Sequence, residues 1–120
     1  MIEQLNSRTI AEIKSFKKPP EDVVNVMKAV MLAVGTPPKE VSDWGGIKLW
    51  LGKTGKMSIK RRIQTLDYAV LKSKKRTVKV IEKLIASVHI DKVQSISKGA
   101  SVFYAWTSGV LMDIDEDFGK

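Results

Sequence analysis

Apolar residues recur at intervals of three and four along most of this chain, and the most regular run is Val23, Val26, Met27, Val30, Met31 and Val34. That spacing predicts a helix over residues 20 to 34, with Asn25 and Lys28 on its other face. Pro19 and Pro20 stop any incoming helix at about Lys18 and suit the first position of a new one, where Glu21 and Asp22 complement the positive helix end. Gly35 supplies a left-handed stop before Thr36, Pro37 and Pro38. Ahead of the prolines, Ile2, Leu5, Ile10, Ile13 and Phe16 form an incomplete stripe over residues 1 to 18. It fits an amphipathic helix lying on the core or one strand of a coiled coil.

Beyond residue 36 the pattern shortens. Ser42 or Asp43 can cap a short helix carrying Trp44, Ile47 and Leu51, despite Gly45 and Gly46. Trp44 reads as a core anchor, whereas Trp50 suits a buried or an exposed position equally. Ser58 can cap the next helix, with Ile59, Ile63 and Leu66 inward and Lys60, Arg61 and Arg62 largely outward. Asp67 to Ala69 predict a turn. A helix from about Ser73 to Ser87 buries Val78, Ile81, Leu84, Ile85 and Val88 and presents Lys74, Lys75, Arg76, Lys79 and Lys83. A last helix starts near Asp91 with Val93, Ile96, Ala100, Phe103, Ala105 and Trp106 as apolar surface, Gly99 and Ala100 being small enough for close packing. No alternating run exceeds a few residues, so the expected fold is all-α, a small bundle of about six helices.

With 120 residues the chain suits one domain. The absence of cysteine excludes a disulfide scaffold, a thiol nucleophile and thiolate zinc sites. No apolar run reaches membrane-spanning length and the first residues lack signal-peptide order, which reads as a soluble intracellular domain. The formal charge is +8, and four acidic residues crowd into Asp113, Asp115, Glu116 and Asp117. Residues 1 to 109 hold 20 basic and 9 acidic residues, a balance of +11. Such a charge favours nucleic acid, an anionic membrane or an acidic protein surface as partner.

Candidate chemistry is sparse. GKTGK at 52 to 56 lacks the spacing, the following Ser or Thr and the leading strand of a phosphate loop, and reads as a basic turn. His89, the single histidine, has no neighbouring ligand type and reads as a surface or boundary residue. The acidic cluster lacks the spacing and glycine of an EF-hand. The chain therefore reads as a binding module and not an enzyme, with no catalytic residue, no metal site, no cofactor and no small-molecule substrate.

Three blocks carry a family resemblance. KPPxxVxxVMxAVxLxxG, from Lys18 to Gly35, resembles the lead-in of the microtubule-binding domain at the tip of the dynein heavy-chain stalk. SKGASVFYAWTSG, from Ser97 to Gly109, resembles that domain's closing helix, and Asp43, Trp44 and Ile47 its second helix. The likeness runs from about residue 5 to 115. It implies that residues 1–18 are the distal end of the first stalk helix, 19–106 the helical docking domain, and 107–120 the start of the second stalk helix with an acidic tail, the bundle capping an antiparallel coiled coil whose partner strand enters after Trp106. The chain would then be a fragment of an ATP-driven motor in the cytoplasm and cytoskeleton, or in the axoneme of a cilium or flagellum. Its partners would be the microtubule (α/β-tubulin) and, through the stalk, the rest of the heavy chain, with no membrane. The resemblance assigns microtubule contacts to Lys28, Lys60, Arg61, Arg62, Lys92 and Lys98, and register coupling to Pro19 and Pro20. Val24 stands where many relatives carry a basic residue, and the 74 to 83 run is more basic than the pattern requires. The competing reading is a small basic helical nucleic-acid-binding domain, although Trp44 and Trp106 sit at apolar positions and do not interleave with the basic runs.

Overall fold

A computed structural model describes residues 7–116 and 118. Eight α-helices follow one another: α1 Ser7–Lys14, α2 Glu21–Ala33, α3 Trp44–Leu51, α4 Ile59–Gln64, α5 Tyr68–Ser73, α6 Lys75–Ala86, α7 Ile90–Ile96 and α8 Lys98–Ile114. Short 3-10 turns occupy Pro38–Val41 and Gly55–Met57, and no strand occurs among the described residues. The all-helical expectation holds, with more and shorter helices than about six.

The organising element is α2. Val23, Val26, Met27, Ala29, Val30, Met31, Leu32 and Ala33 are all buried, so the helix is covered on nearly every side. It packs mainly on α6 and α8, and also on α3 and α7. Its end follows the sequence signal: Gly35 takes φ 91°, and the amides of Gly35 and Thr36 donate to the carbonyls of Leu32 (3.1 Å) and Met31 (2.9 Å), closing the orphan carbonyls of the last turn. Against α2, helix α6 turns Val78, Ile81 and Ile85 inward, and α8 turns in Ala100, Phe103, Trp106, Thr107, Val110, Leu111 and Ile114. The radius of gyration, 13.1 Å, is close to the roughly 13 to 14 Å expected of a packed chain this long.

Local caps explain most of the other boundaries. Asp43, Ser58, Asp67 and Ser97 accept backbone N–H groups at the starts of α3, α4, α5 and α8. Asp67 to Ala69 are therefore a helix start, not only a turn, and Lys74 separates α5 from the basic helix that follows. The expected single last helix is divided in the same way. Ser97 is extended (φ −154°), its Oγ accepts from the Ala100 amide at 3.1 Å and donates to Glu12 Oε1 at 2.7 Å, and α7 ends before it.

Two further boundaries differ from expectation. Helix α1 stops at Lys14 and not near Lys18. Prolines at 19 and 20 have no N–H to offer the carbonyls of Ser15 and Phe16, and Lys18 is pushed towards extended backbone, so the last turn has little to hold it. The Phe16 carbonyl instead accepts from Trp44 Nε1 at 2.8 Å. At the other end, α8 runs through Gly109 to Ile114, where Gly109 and the acidic end after it lead the sequence to predict only a stub beyond Trp106. The apolar stripe Val110, Leu111 and Ile114 is buried, and that burial outweighs the poor helix propensity of one glycine.

Gly46 is required, not merely tolerated: an added Cβ would run into the carbonyl of Glu40, which is backbone and cannot yield. Gly99 plays the expected close-packing role, since a Cβ there would lie 2.8 Å from Thr9 Cγ2 and 3.3 Å from Ile13 Cδ1. Fully buried Ile13 thus seats α1 on the first turn of α8. The expected pairing of Ile2 and Leu5 with the chain beyond Trp106 involves residues outside those described. Among the described residues no helix is long and apolar enough to cross a membrane.

Candidate docking surface

The proline corner is fixed at both ends. Trp44 is half-buried against the core and its indole N–H ties Phe16 to α3. Just past the prolines, Asp22 Oδ2 accepts from the His89 amide at 3.3 Å and lies 3.4 Å from His89 Nδ1. One turn on, Asn25 Nδ2 donates to Ser87 Oγ at 3.2 Å. These links set α2 antiparallel to α6 and hold its N-terminal half to the α6–α7 corner.

Lys28 continues the same flank of α2 and is half-exposed. It lines a hollow of about 290 Å³ with Leu32, Pro38, Arg76, Thr77 and Val80. Sequence reasoning noted the basic run of α6 but did not join it to Lys28. The signal was Val80, which falls off the buried Val78, Ile81 and Ile85 stripe and is 45% exposed.

Lys60 and Arg61 project freely from α4, as expected. Arg62 does not, and its outward assignment is corrected here. Its Nη2 donates to the Val34 carbonyl at 3.0 Å, and its guanidinium lies 4.9 Å from the centre of the half-buried Trp50 ring. Lys53 approaches the same ring at 5.2 Å. Burial lowers the Arg62 pKa from the usual arginine value, the mark of a guanidinium partly withdrawn from water. Arg62 thus ties α4 to the end of α2. Trp50, left open by the sequence, is the aromatic platform of that joint.

Lys92 is exposed on α7, and Lys98 is exposed at the start of α8, one residue from the Ser97–Glu12 contact. The assigned cations are therefore not one cluster. Arg62 reaches the C-terminal end of α2, Lys28 its flank, and Lys92 the helix packed near its start, over a helix about 20 Å long. The Pro19 and Pro20 pair sits beside exposed Lys17 and Lys18.

The opposite flank of α6 carries a carboxyl pair. Glu82 is hydrogen-bonded to Asp115 at the end of α8, and its pKa is pushed up to about 7, first by desolvation and then by the Asp115 hydrogen bond and charge, with Lys79 opposing.

The fold and surface define a small all-helical domain with a basic exterior. A stretch of 55 residues, aligning with 43% of this chain, is 42% identical to dynein axonemal heavy chain 17 of Homo sapiens, and the Mus musculus protein matches to the same extent. Over that stretch the chain is related in sequence to a dynein heavy chain, and it spans about 1% of the length of those relatives. No family model matches the chain, and no solved structure matches it.

Proposed function

We propose that this chain is the microtubule-docking module of a dynein heavy chain, held to the acidic tubulin surface by exposed cations of α2, α4, α7 and α8. The local identity to an axonemal dynein heavy chain carries the reading. Lys28, Lys60, Arg61, Lys92 and Lys98 are the contacts it assigns. Arg62 supports them by fixing α4 to α2. Exposed pairs of this kind are individually weak and salt-sensitive, and they act mainly through steering and summed charge.

In this reading the remote ATPase ring of the full motor changes grip through the stalk. A shift of α1 would reach α2 through the Pro19 and Pro20 corner, while α8 moves with Gly99 and Ile13 as the sliding contact. A track that prefers one arrangement must by linkage favour the matching register.

Cosedimentation of the chain with microtubules, beside duplex DNA at equal salt, tests the proposal. Microtubule binding that weakens with salt and drops several-fold in Lys60→Ala/Arg61→Ala, with unchanged helicity, is expected. Negligible microtubule binding with tight DNA binding would hand the function to nucleic acid. Fusing both ends to a rigid antiparallel coiled coil in successive registers tests the coupling, and equal affinities across folded registers would remove it.

A further inference from the structure

The hollow between α2 and α6 combines two features that solvated lysine faces do not share. Its walls are cationic, Lys28 from α2 and Arg76 from α6, and no carboxylate is among its lining residues. Its floor and lip are apolar: Leu32 is 5% exposed, Pro38 closes one end, and Val80 stands 45% exposed on a helix that buries Val78, Ile81 and Ile85. A large apolar side chain gains from leaving water there, and its flanking residues meet positive charge on both sides, the arrangement of an apolar centre with a polar rim found in docking sites.

From this we infer that the α2–α6 hollow docks an acidic peptide segment that inserts one large apolar side chain against Val80 and Leu32. Lys28 and Arg76 bracket that side chain, and exposed Lys83, three residues beyond Val80, extends the positive flank along α6 for neighbouring carboxylates. At about 290 Å³ the hollow has room for one such side chain and its backbone, near the low end of small-ligand sites of roughly 300 Å³. Charge complementarity selects a polyanion, and the apolar lip selects a peptide over a phosphodiester chain. The chain's own acidic segment is engaged elsewhere, because Phe118 packs against the core and Asp115 bonds Glu82 on the other flank of α6. The site shares Lys28 with the track reading but none of the α4, α7 and α8 cations, and it adds Arg76, Leu32 and Val80, so peptide binding and microtubule binding can fail separately.

Fluorescence polarisation with a labelled synthetic peptide of glutamates around a central phenylalanine tests the inference directly. The comparison probes are the same peptide with serine for phenylalanine, and a short duplex DNA. The phenylalanine peptide is expected to bind at least about tenfold more tightly than the serine peptide, the loss that burying one such side chain implies. Val80→Asp should weaken the phenylalanine peptide by a similar factor while changing the serine peptide much less. Lys28→Glu/Arg76→Glu should weaken both, and Lys60→Glu on α4 should spare the ratio. Equal binding of the two peptides overturns the inference even if a variant fails to fold, as does the absence of peptide binding. DNA that outcompetes the phenylalanine peptide and is indifferent to Val80→Asp also overturns it, leaving a plain basic face.

Discussion

Replacing Arg62 with alanine separates a structural cation from a docking one. The side chain makes one hydrogen bond to a helix-terminal carbonyl at 3.0 Å and lies over the Trp50 ring at 4.9 Å. A hydrogen bond from a charged donor is worth about 1.5 to 3 kcal/mol and a partly exposed cation–π contact about 0.5 to 1. The two share one side chain, and water can reach the vacated Val34 carbonyl, so the net cost is taken as about 2 kcal/mol. For a domain of this size that lowers Tm by about 8 °C. Arg61→Ala, on the exposed neighbouring position, should stay within about 0.5 kcal/mol of the parent. Urea and thermal unfolding followed by circular dichroism measure both. A double-mutant cycle with Trp50→Leu should return a coupling of about 0.5 to 1 kcal/mol. If Arg62→Ala and Arg61→Ala are equally stable, the joint between α4 and α2 does not hold and Arg62 returns to the docking set.

Trp44→Phe keeps the ring's packing but removes the donor to the Phe16 carbonyl, at a cost of about 1 to 2 kcal/mol. Trypsin cleavage after exposed Lys17 should then accelerate roughly tenfold, and an unchanged rate would show that Trp44 does not hold the corner. The Glu82 and Asp115 pair predicts a pH effect of definite sign. A carboxyl raised from 4.5 to about 7 binds its proton more tightly folded than unfolded, so the pair's contribution to stability is fullest below about pH 4.5 and is lost as pH rises through about 7. Glu82→Gln removes that slope. The variant should gain on the parent in urea midpoint between pH 5 and pH 8, and a constant difference between the two would contradict the raised Glu82 pKa.

The boundaries of α2 and the caps of α3 and α4 were legible because their causes lie within four residues in sequence. Pro20 and the first-turn acids start α2 and Gly35 closes it, while Asp43 and Ser58 satisfy the free amides of their own helices. The buried stripe of α6 was legible for the same reason, since helical periodicity fixes which side chains share a face. The direction of Arg62 was not, because its partners belong to α2 and α3, and the 28 residues that separate it from Val34 leave no local trace. Neither was the break at Ser97, where a hydrogen bond to Glu12, 85 positions away, joins the local cap in favouring an extended residue over a continuous helix. Lys28 and Arg76 became neighbours only when α2 packed antiparallel to α6. Sequence determined which residues each helix offers; packing decided which offers meet, because a contact between distant segments depends on the register of whole helices and not on the residues beside it.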